Sequence, residues 1–113
     1  MNVEILTTEN FRREAKRLIK KYPSIKNELI DLQEQLFQNP RLGIPLGWNC
    51  YKIRMAIKSK GKGKSGGARI ITHLLINPDT EQLYLISIYD KSEFDSISDV
   101  DLKRLIKEIK ENN

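Results

Sequence analysis

Cysteine, histidine and tryptophan occur once each in this chain, as Cys50, His73 and Trp48. A single cysteine excludes an internal disulfide and suits a reducing cytosol. One histidine and one cysteine, with no second soft ligand at a useful spacing, exclude the common zinc patterns, so neither metal nor cofactor is expected. No apolar run approaches the length of a membrane span. The N-terminus, MNVEILTTENF, has no basic region followed by an apolar stretch, so no signal peptide is indicated. These absences predict a cytoplasmic protein with no membrane partner. The most informative absence is of acid: from Gln35 to Pro78 there is no Asp or Glu.

That acid-free stretch holds Arg41, Lys52, Arg54, Lys58, Lys60, Lys62, Lys64 and Arg69. The chain's formal net charge is +5, so everything outside the stretch is net negative. Positive charge concentrated in this way points to a polyanionic partner. With 113 residues the chain is expected to form a single domain over residues 1–113, large enough for a core without staples.

Hydrophobic periodicity sets the expected elements. Val3 to Thr7 reads as a short strand. Phe11, Ala15, Leu18, Ile19 and Tyr22 lie on one face of a helix that Thr7 or Thr8 caps and Pro23 stops. Ile25, Leu29, Leu32 and Leu36 make a second helix, capped by Ser24 and ended by Asn39-Pro40. So short a connection predicts an antiparallel helical hairpin. Arg41 to Asn49 reads as a loop punctuated by Gly43, Pro45 and Gly47, with Trp48 plugging the core or, alternatively, stacking on a base. Three strands follow, Tyr51–Lys58, Ala68–Ile76 and Leu83–Tyr89. Ser98 with Asp101 resembles a capping box for a last helix carrying Leu102, Leu105, Ile106 and Ile109. The order β-α-α-β-β-β-α predicts an α+β domain: an antiparallel sheet with the hairpin on one face, and a C-terminal helix.

Parity locates the chemistry. With Tyr51, Ile53, Met55 and Ile57 facing the hairpin, Lys52, Arg54 and Lys58 face away. Arg69, Ile71 and His73 share a side, as do Leu85, Ser87, Tyr89 and Lys91. A register placing Arg54, Arg69, Tyr89 and Lys91 on one open face is compatible with this parity, which does not itself fix the register. Gly63-Lys64-Ser65 is no phosphate-binding Walker loop, because Lys58 stands where its first glycine belongs and a strand follows in place of a helix. His73, in an apolar strand, reads as structural. The acidic group Glu93, Asp95, Asp99 and Asp101 reads as a solvated loop and helix start.

Phe11, Arg17-Leu18, Lys20-Lys21-Tyr22-Pro23-Ser24, Asn39-Pro40, Tyr51-Lys52-Ile53-Arg54, the run from Gly61 to Arg69 and Tyr89-Asp90-Lys91 together resemble the RelE/ParE superfamily of bacterial toxins, in its HigB-like branch. The resemblance implies a type II toxin–antitoxin toxin. RelE-type members are endoribonucleases cutting mRNA in the ribosomal A site, silenced by a cognate antitoxin protein. ParE members share the fold and poison DNA gyrase. It implies that Arg69 contacts phosphate, that Lys62 and Lys64 belong to a basic loop, and that Tyr89 and Lys91 sit where catalytic side chains cluster. The late-strand histidine of some members is missing here. A non-catalytic basic RNA-binding module is the remaining alternative.

Metal-free RNA cleavage needs a proton taken from the 2′-hydroxyl, charge stabilised on the phosphate, and a proton given to the leaving 5′-oxygen. The planar fork of Arg69 suits the second task. Tyr89 and Lys91 are the candidates for moving protons, their pKa values lowered by surrounding cations. Lys52, Arg54, Lys58, Lys60, Lys62 and Lys64 are the candidate RNA-binding residues.

Overall fold

The computed structural model describes residues 2–61, 63–94 and 96–112, with the side chains of 111 and 112 left out. Strand β1 (Asn2–Thr7) leads into helix α1 (Glu9–Lys21). Thr8 is the N-cap, its hydroxyl accepting from the Phe11 N–H at 3.2 Å. Helix α2 (Ile25–Gln38) follows after Tyr22-Pro23-Ser24. Ser24 does not cap it in the expected way. Its φ and ψ are already helical, and its hydroxyl donates to Glu28 at 3.2 Å and accepts the Ser59 N–H at 2.9 Å. The start of α2 is thereby tied to the lysine-rich loop.

The sheet has five strands in the order β1-β5-β4-β3-β2, with β2 at Ile44–Gly47, β3 at Cys50–Met55, β4 at Ala68–Ile76 and β5 at Thr80–Asp90. Two features differ from the expected antiparallel, four-strand order. β1 pairs with β5 in parallel, so the sheet is mixed; the connection between them runs through the helical hairpin and then β2, β3 and β4, far longer than a parallel pairing requires. Part of the Arg41–Asn49 segment, read as loop, is an edge strand paired with β3. An edge tolerates Pro45 because only one side needs donors. β2 and β3 are joined by Trp48 and Asn49, both at positive φ, the geometry of a two-residue hairpin turn.

A β-bulge breaks the expected parity of β5. Ile71 pairs with Ser87 but Thr72 pairs with Leu85, leaving Ile86 as the extra residue. One extra residue flips every side chain beyond it. Leu83, Leu85 and Ile88 therefore all join the hairpin-side cluster, while Tyr84, Ile86 and Tyr89 lie in the other. Leu85 does not share a side with Tyr89, as simple alternation required. β1 ends opposite Leu85, so β5 has no strand on that side beyond it. Helix α1 takes over: Asn10 donates to the Ile86 carbonyl at 3.0 Å, and Glu14 accepts from the Ile88 N–H at 3.3 Å and the Ser87 hydroxyl at 2.9 Å.

Helix α3 (Asp99–Asn112) starts at Ser98, whose hydroxyl accepts the Asp101 N–H at 3.1 Å. It lays Leu102, Leu105 and Ile109 over Cys50, Ile71, Tyr84, Ile86 and Tyr89. The sheet is thus covered on both faces, by α1 and α2 on one and by α3 on part of the other. The expected open face is in part roofed.

Candidate nucleic-acid interface

The register places Arg54 opposite Arg69, and Arg69 opposite Tyr89, in one row across β3, β4 and β5. The row is on the sheet face that α3 partly covers, as strand parity predicted for Arg54 and Arg69. Only Arg54 is exposed. Arg69 is 2% exposed and Tyr89 1%. This corrects the placement of Arg69 and Tyr89 on an open surface.

Arg69 is buried because the glycine-rich loop closes over it. One Nη donates to the Lys64 carbonyl at 2.8 Å and the Ala68 carbonyl at 3.2 Å; the other reaches the Ser65 carbonyl at 3.4 Å. Three of the five guanidinium N–H donors are engaged in this way. Gly67 makes the closure possible: a Cβ there would lie 2.2 Å from the Met55 carbonyl oxygen. The close approach that glycine permits here is taken up by the protein's own β3 strand. Burial, then the neighbouring Arg54, lowers the Arg69 pKa.

Phe94 stacks on the Tyr89 ring at 4.4 Å between centroids and 24° between planes. The Tyr89 hydroxyl is buried without a hydrogen-bond partner among the described residues. Burial raises its pKa, against smaller lowering effects of Arg69 and the Ile97 backbone. Nearby cations were expected to lower it. Burial outweighs them because removing the phenolate from water penalises the charged form.

Lys91 lies just past β5 and is half-buried. Its N–H donates to the Gly67 carbonyl at 3.0 Å, and it lines a cavity of about 180 Å³ with Lys60, Ser65, Gly66 and Ser92. Lys60 faces inward. Its ammonium donates to Asp90 at 2.6 Å and Ser92 at 3.2 Å, and lies 5.7 Å from the centroid of the Tyr22 ring. Burial would push the Asp90 carboxyl up, but the hydrogen bonds from Lys60 and Ser92 prevail and hold it at about 2. Sequence reasoning missed Asp90, although it stands between Tyr89 and Lys91, because a buried acid shows no periodic signal.

Lys58 and Lys64 are exposed and Lys52 is half-buried. Lys58 opens a single 3₁₀ turn, Lys58–Lys60, held by the Glu28 carboxylate accepting its N–H at 2.7 Å. Lys62 lies outside the described residues. Pairing of β2 with β3 stops at Lys52. Beyond it a groove of about 460 Å³ runs between the β3 edge and α2, lined by Leu32, Ile44 and Met55 with Lys52, Arg54 and Lys64 among its cations.

His73 is buried, its Nδ1 3.3 Å from the Cys50 sulfur. Burial lowers the His73 pKa and pushes the Cys50 thiol up to about 12, so the pair is inert packing at neutral pH. Trp48 is not a core plug. It is 48% exposed, with the Lys103 ammonium 4.8 Å from its ring centroid.

No family model matches the chain. Among solved structures it is similar to a free-state variant of the E. coli toxin RelE in which two arginines are replaced by alanine. The TM-score is 0.61, with 16% identity over 96% of this chain and 99% of that one. The chain therefore has the RelE-type fold. No helix among the described residues is long and apolar enough to cross a membrane.

Proposed function

We propose that this chain is the toxin of a type II toxin–antitoxin system, HigB-like, and that it cuts mRNA in the ribosomal A site without a metal. The observation that carries this reading is the row Arg54, Arg69, Tyr89, set beneath a loop of lysines in an acid-free stretch. In the reaction the 2′-oxygen loses its proton and attacks the adjacent phosphorus. The bond from phosphorus to the 5′-oxygen breaks, and that oxygen takes up a proton. The products are a 2′,3′-cyclic phosphate and a 5′-hydroxyl.

Arg54 is positioned to meet the phosphate first. Arg69 keeps two N–H donors beyond the loop carbonyls, enough to grip the developing charge once the loop yields to RNA. Lys91, at the loop mouth, is the candidate donor to the leaving oxygen. Tyr89 is the candidate base, and its burial makes it a poor one until Phe94 moves. The free protein is thus closed, and slow on free RNA. The ribosome's part is to present the 2′-oxygen aligned for attack.

The partner follows from the same charge. A cognate antitoxin with acidic residues, seated in the groove beside β3, would neutralise Lys52, Arg54 and Lys64 together. The adjacent reading frame should encode it, and expression of this chain alone should be harmful. A lone gene with no toxicity would count against the proposal.

The test is cleavage of mRNA on programmed ribosomes with chelator present, scored for the cyclic phosphate end. Loss of activity with a chelator of transition metals, while free Mg²⁺ keeps the ribosomes intact, defeats the metal-free mechanism. DNA breakage with protein synthesis intact points instead to a gyrase inhibitor. The burial of Arg69 and Tyr89 favours one second reading, a basic RNA-binding module without catalysis, which would bind ribosomes and leave the message whole.

A further inference from the structure

Trp48 occupies a position that packing does not explain. It belongs to neither core cluster. It sits at φ 51 in the two-residue turn between β2 and β3, beside Asn49 at φ 57. Such turns take glycine, asparagine or aspartate, which tolerate positive φ. Asn49 conforms. A bulky side chain there is a conformational outlier, and strain of this kind collects at functional positions. The strained residue holds its large aromatic ring half in solvent.

The surroundings indicate what the ring meets. Lys103, exposed on α3, holds its ammonium 4.8 Å from the ring centroid. Along β3 from the turn come Lys52 and Arg54, on the sheet face that also carries Cys50 and Arg69. From the end of the turn at Cys50 to Arg54 the strand runs four residue steps, roughly 13 Å of extended chain. An aromatic platform followed by cations along one line is the arrangement that holds single-stranded nucleic acid: bases stack on the ring and phosphates follow the charge.

We propose that Trp48 is a base-stacking subsite for the RNA strand, remote from the scissile phosphate, with Lys103 holding the adjoining backbone. The inference rests on the ribonuclease reading and adds a second anchor to it. It predicts dependence on RNA length. A dinucleotide at the Arg54–Arg69 row cannot reach Trp48; an octanucleotide can.

Trp48 is the chain's single tryptophan, so its emission reports the stack directly. Uncleavable 2′-O-methyl oligoribonucleotides of two and eight nucleotides are titrated at low salt, with anisotropy recording binding. The octamer should quench Trp48; the dimer should bind more weakly and leave it unchanged. Trp48→Gly suits the turn better than tryptophan does and should fold at least as stably. It should weaken octamer binding roughly ten- to hundred-fold and dimer binding not at all. Trp48→Phe should restore most of the difference. Octamer binding with unquenched emission, or unchanged in Trp48→Gly, overturns the subsite and leaves the nuclease reading standing. Equal losses for both lengths with a lowered melting temperature would make Trp48 a fastener of α3, which also overturns it. Failure of the octamer to bind the wild-type protein overturns this subsite, whereas the nuclease reading stands or falls on mRNA cleavage on programmed ribosomes.

Discussion

Arg69→Ala removes three donated hydrogen bonds at once, since the Lys64, Ser65 and Ala68 carbonyls all accept from that side chain. Only the Ala68 carbonyl among them is in a buried bond, so the cost is that of about one lost hydrogen bond, roughly 1 kcal/mol, and urea melts should show a measurable loss of stability. An exposed arginine would show almost none. At a temperature where the variant is still folded, cleavage should fall about a hundred- to thousand-fold, the usual effect of losing one transition-state donor. Full activity in the folded variant would defeat the assignment. Tyr89→Phe behaves oppositely in stability: among the described residues the hydroxyl meets no partner at hydrogen-bond distance, so its removal should leave the melt unchanged or raise it. A large drop in rate with no loss of stability would mark Tyr89 as a proton carrier; an unchanged rate would leave it a core ring. Strand parity separated Arg54 from the hairpin face and grouped Arg69 with Ile71 and His73, but their pairing depends on a register that alternation does not fix. Burial was not legible, because neither the loop closure nor Phe94 has a periodic signature.

Among the elements, β5 and the segment after it decide how the site is held. The β3 faces could be read from alternation because Cys50–Met55 keeps a period of two, whereas β4, Ala68–Ile76, is apolar on both faces. β5 could not, because the bulge at Ile86 inserts one residue without changing composition. β2 was hidden by Pro45 and Gly47, which read as loop. Two predictions belong here. Phe94→Ala takes away the ring stacked on Tyr89, so nitration of Tyr89 by tetranitromethane, followed by mass spectrometry, should be several-fold faster than in the wild type. Equal rates would mean that α3 alone shields it. The second concerns the Lys60–Asp90 tie between the lysine-rich loop and the end of β5. The folded pKa of Asp90, about 2, lies below its ordinary 3.8. Its contribution is therefore complete above pH 3.8 and disappears as pH falls towards 2, a loss of about 2 kcal/mol across that window. Lys60→Met leaves a buried carboxylate unpaired. It should destabilise the fold at pH 7 by about 3–5 kcal/mol, and the deficit against the wild type should shrink as pH falls and Asp90 takes up a proton. A Lys60→Met melt matching the wild type would show that the pair contributes nothing.

At the scale of the molecule, the concentration of cations in one acid-free stretch was plain from sequence. Which of them remain available to a ligand was not. The fold divides them into two groups. Arg54, Lys58 and Lys64 are exposed, whereas Lys60 is withdrawn into the ion pair with Asp90. Counterion release gives a way to count those that meet RNA. On single strands the logarithm of affinity falls with the logarithm of salt by roughly 0.7 for each phosphate neutralised. Arg54→Ala and Lys64→Ala should each flatten that slope by about 0.7, and together by about twice as much. A folded Lys60 variant should leave the slope where it was, even if it is less stable, because Lys60 already has its anion inside the protein. Salt-independent binding by the wild type would remove the electrostatic role of the whole stretch. A slope reduced as much by the Lys60 variant as by Lys64→Ala would mean that RNA draws Lys60 off Asp90. The loop would then rearrange on binding far more than the closure over Arg69 requires.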